Sequence, residues 1–391
     1  MPTVTARDET HPVIRWLMTD ARRRVDANDF LEAFAQQLLA AGIDVARITT
    51  GVPILHPQIF SFSGLWERGE GVTERLYRAG PSATATMSNS PIRIAYEGGG
   101  PVRCDLTAPA RDGEFPIVGD LRRDGYTDYV VYSVPFADGS HKALSLATRR
   151  AGGFNADELA LFAAMIPAIA FNIEVQALRR TARTLLDTYV GQQSGGRVLE
   201  GQITRGSGET IRAVIWLCDL RGFTSLSEAL PRDALIDLLN SYFGPMCDAV
   251  AGAGGEILKF IGDAMLAIFP IGDDPASICR AALAAAERAQ AALSEENAKR
   301  ERAGLPRIEY GLALHIGDVM YGNIGSDTRL DFTVIGPAVN LTARIESMCR
   351  QLGRQLLLSS DFVGAGSIPA TSLGAHSLKG VGSEQEIFAP A

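Results

Sequence analysis

The rhythm of apolar positions changes along the chain, and each rhythm predicts a different kind of element. Between Val13 and Leu39 the residues Ile14, Leu17, Met18, Val25, Phe30, Leu31, Phe34, Leu38 and Leu39 recur at helical spacing. This predicts one or two helices, with Asp29 as a cap for the second part. Strand-like runs follow at Val45 to Thr49, Gln58 to Leu65, Tyr129 to Phe136 and Ala143 to Thr148. The turn Ala137-Asp138-Gly139-Ser140 between the last two suits a hairpin. The stretch from Gly80 to Gly119, rich in Gly, Pro and Ser, reads as loop.

Asn155 and Glu158 stand at the spacing of a capping box. They open a helix carrying Leu159, Phe162, Ile166, Ile169, Ile173 and Leu178 on one face, interrupted by Pro167. That stripe approximates a heptad seam, and it suits packing on the chain's own sheet as well as it suits a parallel dimer helix. The pattern continues to Tyr189, where Gly191-Gln192-Gln193-Ser194-Gly195-Gly196 breaks it. Beyond this the chain alternates. Ala213 to Cys218 is an apolar strand, Arg232 to Val250 a helix, and Glu256 to Phe269 two strands around Gly262-Asp263. Asp274 to Lys299 is an alanine-rich helix; Ile308 to His315, Val319 to Ile324 and Asp331 to Ile335 are short strands. Pro337 to Gln351 is a helix with its proline in the first turn. The expected fold class is α/β or α+β, with helices over a mixed sheet.

At 391 residues the chain is long enough for two or three domains of about 150 residues. The boundaries read as 1–11 disordered, 12–178 a first domain, 179–206 a helical linker and 207–391 a second domain. Acidic residues outnumber basic ones by 45 to 37, a net charge of −8, so no broad basic field is present and nucleic acid is an unexpected partner. The five cysteines, Cys104, Cys218, Cys247, Cys279 and Cys349, are scattered singly, which suggests neither a disulfide framework nor a zinc site. The N-terminal sequence MPTVTARDETHP lacks the apolar core of a signal peptide. The run Leu159 to Phe171 is shorter than the ~18 to 20 residues that span a bilayer. A cytoplasmic protein without a membrane span is expected.

Three local patterns carry chemistry. In Trp216-Leu217-Cys218-Asp219-Leu220-Arg221-Gly222-Phe223-Thr224 an apolar strand delivers a carboxylate to a Gly-containing turn before a helix. A hard cation and a phosphate both suit that place, although such an Asp also serves as a plain helix cap. In Lys259-Phe260-Ile261-Gly262-Asp263 a hairpin turn ends in Asp263, and Lys259 sits in an otherwise apolar strand, where an ammonium needs a partner or a path to water. In Asp331-Phe332-Thr333 through Asn340-Leu341-Thr342-Ala343-Arg344, Asn340 and Arg344 are four apart on a helix and project from one face.

Together these patterns, with Gly322-Asn323-Ile324-Gly325, resemble the class III nucleotidyl cyclase catalytic domain over about 207–391. The resemblance implies a ferredoxin-like mixed sheet flanked by helices and an enzyme that turns ATP into 3′,5′-cyclic AMP and pyrophosphate. It implies that Asp219 and Asp263 hold two divalent ions, Mg or Mn, with the Leu220 carbonyl adding a ligand. Backbone amides near Gly222, Phe223 and Thr224 would receive the triphosphate, and Lys379 the terminal phosphates. Lys259 and Thr333 would read the base, Asn340 would orient the ribose, and Arg344 would neutralise charge at the α-phosphorus. The family's site lies between two cyclase domains, so a homodimer with shared sites is implied. Thr333 departs from the Asp common at that position and matches a subgroup, some of whose members respond to bicarbonate. A guanylate cyclase and an inactive binding protein remain alternatives; the first is disfavoured by Lys259, the second by the presence of every motif residue.

Residues 12–178 resemble a GAF-type sensor in the order of their elements, which implies an unidentified small-molecule or protein signal. Trp66, Tyr77, Tyr96, Tyr126 and His141 are candidates for lining its pocket. Cys104 has no thiolate-stabilising set around it in the sequence.

Overall fold

The computed structural model describes residues 11–24, 26–53, 59–78 and 89–391. The chain divides into two compact units, Met1–Leu185 and Leu186–Ala391. The first unit begins with α1 (Pro12–Thr19), a 3-10 turn (Ala21–Arg23) and α2 (Ala27–Ala40). Asp26 caps α2, accepting from the N–H groups of Asn28 and Asp29 at 2.8 and 3.2 Å. Asp29, the expected cap, lies inside the first turn, because the helix starts earlier than its apolar stripe.

Then follow β1 (Arg47–Pro53), β2 (Ile59–Glu67), β3 (Gly71–Arg78), α3 (Pro91–Tyr96), β4 (Val102–Asp105), α4 (Pro116–Arg123), β5 (Asp128–Pro135), β6 (His141–Thr148) and α5 (Ala156–Tyr189). Among the described residues the strands form one antiparallel sheet in the order β3-β2-β1-β6-β5-β4. The expected β5–β6 hairpin is present, with Pro135 opposite His141. The expected loop from Gly80 to Gly119 is corrected by α3, β4 and the start of α4. Residues 79–88 lie outside the described residues. Two prolines there, Pro91 and Pro116, begin helices, where the missing N–H costs nothing.

The capping box that opens α5 is reciprocal: Asn155 Oδ1 accepts from the Glu158 N–H, and Glu158 Oε2 from the Asn155 N–H, each at 2.9 Å. The helix runs through Pro167 without ending. Phe162, Met165, Ile169 and Ile173 pack into the first core with Phe30, Phe34 and Trp66, and Asn172 donates to the Leu17 carbonyl at 2.9 Å. Leu178, expected on the same face, is exposed. By length and composition α5 also qualifies as a membrane span, which the shorter run Leu159 to Phe171 did not suggest; 44% of the qualifying stretch is buried within the fold.

In the second unit Gly191, with φ at +98°, turns the chain, and α6 (Gln192–Leu199) follows where the sequence suggested only a break. Ser194 is buried, and both its N–H and its hydroxyl donate to Glu256 at 2.9 and 2.6 Å, so the later part of the expected linker is packed structure. Next come β7 (Gly208–Leu220), α7 (Phe223–Ala229), α8 (Arg232–Ala251), β8 (Glu256–Ile261), β9 (Ala264–Pro270) and α9 (Pro275–Arg302). The unit ends with β10 (Tyr310–Gly325), β11 (Leu330–Ile335), α10 (Pro337–Gln351), β12 (Leu356–Ser359), α11 (Ser360–Gly366), β13 (Ala370–His376) and β14 (Gln385–Pro390).

These strands form an eight-stranded sheet in the order β13-β14-β12-β10-β7-β9-β8, with β11 paired to β10. Only β10–β12 is parallel among the described pairs, so the sheet is mixed, as expected. The two strands expected at Ile308 to His315 and Val319 to Ile324 are one long strand. Gly317 passes through it because a Cβ there would meet the Cβ of Ala338 at 2.6 Å. Along β7, Val214, Trp216 and Cys218 face a core with α8 and α9, while Ala213 and Ile215 face the opposite side with Val319, Phe332 and Ala338. The alanines of α9, Ala282, Ala285, Ala286 and Ala289, let that helix pack closely.

Candidate active site

Alternation along β7 sends Cys218 and Leu220 into the core and leaves Asp219 on the other face, opposite Gly311 of β10. Asp263 is held in the two-residue turn that joins β8 to β9, where Gly262 adopts φ +64° and Ile261 pairs with Ala264. The turn brings Asp263 within hydrogen-bonding reach of Asp219. Burial, that shared hydrogen bond and the charges of Asp263 and Glu346 push the Asp219 carboxyl up to about 7.

Glu346 comes from α10 and is buried; burial raises its carboxyl, against the pull of Arg221, whose guanidinium lies 3.3 Å away. Gly311 makes this pairing possible, since a Cβ there would run into both the Arg221 guanidinium and the Glu346 carboxylate. Of these three neighbouring carboxylates, Glu346 is paired with Arg221, which leaves negative charge at Asp219 and Asp263 in a half-buried place. Hard divalent ions suit such a donor set. Among the described residues no three His, Cys, Asp or Glu side chains form a closed metal cage. Two carboxylates with remaining positions open to carbonyl, water and phosphate oxygens fit Mg better than a structural ion.

After Leu220 the chain turns through Gly222, at φ +68°, into α7, whose N-terminus has no side-chain cap. The amides of its first turn therefore have no partner within the helix.

Lys259, in β8, donates to Asp331 Oδ2 of β11 at 2.8 Å, and this ammonium holds the Asp331 carboxyl below the ordinary carboxylate range. Thr333 stands two residues further along β11, on the same face as Asp331. Its hydroxyl oxygen is buried with no hydrogen-bond partner. Asn340 and Arg344 are both exposed on α10, on one face, as their spacing predicts. Glu346 lies two residues beyond Arg344, which is about 200° round a helix. The face bearing Asn340 and Arg344 therefore points away from the acids that Glu346 adjoins. Lys379 is exposed in the turn between β13 and β14. Asn323 is buried and donates to the Gln202 carbonyl at 2.7 Å and the Ser207 hydroxyl at 3.2 Å, so it fastens the preceding segment to β10.

Residues 209–387 match the adenylate and guanylate cyclase catalytic domain. Over 162 residues the chain is 42% identical to the adenylate cyclase of Anabaena cylindrica, covering 40% of this chain and 31% of that protein. Over 149 residues it is 32% identical to adenylate cyclase 1 of Rhizobium meliloti (strain 1021), covering 37% of this chain and 22% of that one. The chain thus spans less than a third of the length of either relative. A solved adenylyl cyclase, CyaB from P. aeruginosa, is 28% identical with a TM-score of 0.43, covering 46% of this chain and 94% of that chain.

Within the matched residues 209–387, the sequence pattern assigns no roles to Asp331, Arg221 or Glu346. The signal for Asp331 was present, because a lysine inside an apolar strand needs a partner, but nothing local says which acid 72 residues away supplies it. In the first unit the described aromatic candidates divide between two cores, with Tyr96 packed against the one that holds Tyr126. Trp66 belongs to one core and Tyr126 to another, while the Tyr96 hydroxyl donates to the Gly51 carbonyl at 3.1 Å. His141 Nδ1 lies 2.9 Å from the Ser133 hydroxyl. The side chain of Tyr77 lies outside the described residues. Burial and the nearby acids Glu114 and Asp128 push the Cys104 thiol up, away from thiolate chemistry.

Proposed function

We propose that this chain is an adenylate cyclase that converts ATP to 3′,5′-cyclic AMP and pyrophosphate at sites shared between two copies. The observation that carries this reading is the opposition of the two faces: Glu346 is buried beside the acids, and Arg344, on the same helix, is exposed on the far side. One copy presents Asp219 and Asp263 without a facing Asn and Arg, and also presents Asn340 and Arg344 without facing acids. Two copies in a two-fold arrangement complete two equivalent sites.

Asp219 and Asp263 would hold two divalent ions, Mg or Mn, with the Leu220 carbonyl as a further ligand. Bound there, such ions supply charge neutralisation at the ribose 3′ oxygen and at the departing pyrophosphate. The backbone amides of Gly222, Phe223 and Thr224 receive the triphosphate, and Lys379 reaches its terminal phosphates. Lys259 donates to the adenine ring, and the Thr333 hydroxyl accepts from the exocyclic amine. The unpartnered Thr333 oxygen supports that role, since a buried hydroxyl without a hydrogen bond costs about 1–3 kcal/mol that a ligand offsets. Asn340 orients the ribose so that its 3′ oxygen faces the α-phosphorus, and Arg344 from the other copy neutralises the charge that grows on the phosphoryl oxygens.

The first unit acts as a GAF-like sensor of an unidentified signal. Its order of helix, strand meander, hairpin and exit helix supports this. The protein works in the cytoplasm, where ATP is available.

The test is an assay of purified full chain with ATP or GTP and with Mg or Mn. Cyclic AMP from ATP is expected, with GTP turned over far more slowly. Preference for GTP overturns the base assignment, and inactivity on both, with a dimer present, overturns the catalytic reading.

A further inference from the structure

The catalytic reading uses Asp219 and Asp263 and leaves Glu346, the acid beside them, without a task. The Glu346 side chain is 9% exposed, and its Oε1 accepts no hydrogen bond. Arg221 Nη2 lies 3.3 Å from that oxygen, but the two are not aligned for a hydrogen bond, and Nη2 is itself buried without an acceptor. Leaving a buried carboxylate oxygen in that state is costly. A buried ion pair is also a poor source of stability, since apolar side chains of similar volume often serve as well or better. The geometry is nevertheless enforced. Gly311, paired in register with Asp219, has no side chain, and a Cβ there would collide with both Arg221 Nη2 and Glu346 Oε1. Both atoms therefore sit over the backbone opposite Asp219. Beyond the larger effect of burial, the charge of Glu346 acts on Asp219 and that of Asp263 acts on Glu346, so the three carboxylates are close. Glu346 is still not a third ligand, because among the described residues no three such side chains converge as a metal cage.

We infer that Glu346 is a positioning residue for the divalent ions: its buried Oε1 accepts from a water in the shell of an ion held by Asp219 and Asp263, and Arg221 fixes where that oxygen lies. This role rests on the reading that those two aspartates hold the ions. A hard ion bound by two carboxylates keeps several waters, and their protons need acceptors. An oxygen that is buried, charged, close to both aspartates and free of other donors is the acceptor this place offers. Outer partners of this kind orient what the ion binds, and losing one weakens metal binding about 10- to 100-fold. The alternative is that the pair only pins α10 to β7.

Manganese binding to the full chain without nucleotide, followed by the electron paramagnetic resonance of the free ion, separates the two, with a thermal melt of each variant alongside. Glu346→Gln keeps the shape of the side chain and is expected to weaken manganese binding about tenfold. It leaves the Arg221 guanidinium unpaired, so the melting temperature is expected to fall as well. Arg221→Met combined with Glu346→Gln removes both charges, which keeps the net charge of the site unchanged and leaves no buried ion alone. Stability is then expected to return toward that of the unmodified chain, while manganese binding stays about tenfold weaker. Manganese affinity that is unchanged in Glu346→Gln, or restored in the double variant, overturns the proposal and makes Glu346 a structural partner of Arg221. Asp263→Asn tests the reading beneath, since it is expected to abolish manganese binding. If it does so while Glu346→Gln binds normally, the metal-holding role of the aspartates stands and only the role of Glu346 fails. If Asp263→Asn binds as the unmodified chain does, the metal-holding role fails and that of Glu346 fails with it.

Discussion

Lys259 and Asp331, on two strands that are not hydrogen-bonded neighbours, meet at 2.8 Å and so fix where the ammonium of the base-reading candidate lies. The pair is partly open to water, with Lys259 29% and Asp331 57% exposed, so its contribution to stability is under about 1 kcal/mol. Its contribution to substrate placement is expected to be larger. Asp331→Ala should leave the melting temperature nearly unchanged while raising KM for ATP about tenfold, with kcat within about threefold. Steady-state kinetics beside a thermal melt check this, and an unchanged KM removes Asp331 from the site.

Thr333→Val separates binding from folding. Valine matches threonine in shape and removes a buried hydroxyl that has no partner. Stability is expected to hold or rise by about 1 kcal/mol. The ATP specificity constant should nevertheless fall about tenfold as the exocyclic amine loses its acceptor. A loss of stability with kinetics intact points to a structural hydroxyl instead.

Complementation tests the shared site. Asp219→Ala and Arg344→Ala are each expected to abolish activity, since each ruins both sites of its own dimer. An equal mixture forms mixed dimers in which one of two sites is whole, so activity should return to about a quarter of the unmodified level. Mixtures that stay inactive after subunit exchange, shown by light scattering or by labelled copies, contradict the two-copy arrangement.

His315 provides a pH signature of the fold. It is buried on β10 with Nδ1 2.8 Å from the Ser359 hydroxyl, and burial lowers it to about 4. Unfolded histidine titrates near 6.5, so between about 6.5 and 4 the unfolded chain binds a proton that the folded chain refuses. Stability from this group is complete above about 6.5 and is lost as pH falls, by up to about 1.4 kcal/mol per unit. Asp219, raised to about 7, acts with opposite sign, contributing stability that is lost as pH rises toward that value. The difference between the unmodified chain and His315→Gln isolates the histidine. Urea unfolding at pH 7 and 5 should show that difference shift by about 2 kcal/mol, and a pH-independent difference refutes the assignment.

How much of this was legible follows from the range of each interaction. The capping box at Asn155 and Glu158, the helix Pro337–Gln351 and the turn carrying Asp263 were readable because neighbours within four residues decide them. The α3–β4 segment was misread because prolines open helices as readily as they end them, and the choice depends on what packs behind. The pairing of Asp219 with Asp263, the partnership of Lys259 with Asp331 and the room that Gly311 leaves for Arg221 and Glu346 join residues tens of positions apart. Their identities are in the sequence, but their distances depend on strand order and register. By itself the sequence determined the residue types of the site, the periodicities of the elements and the heptad spacing along α5. Only the tertiary structure decided which apolar face of that helix is covered and which carboxylate meets Arg221. It also placed Arg344 on the side away from the acids, because burial and charge proximity are properties of the packed chain.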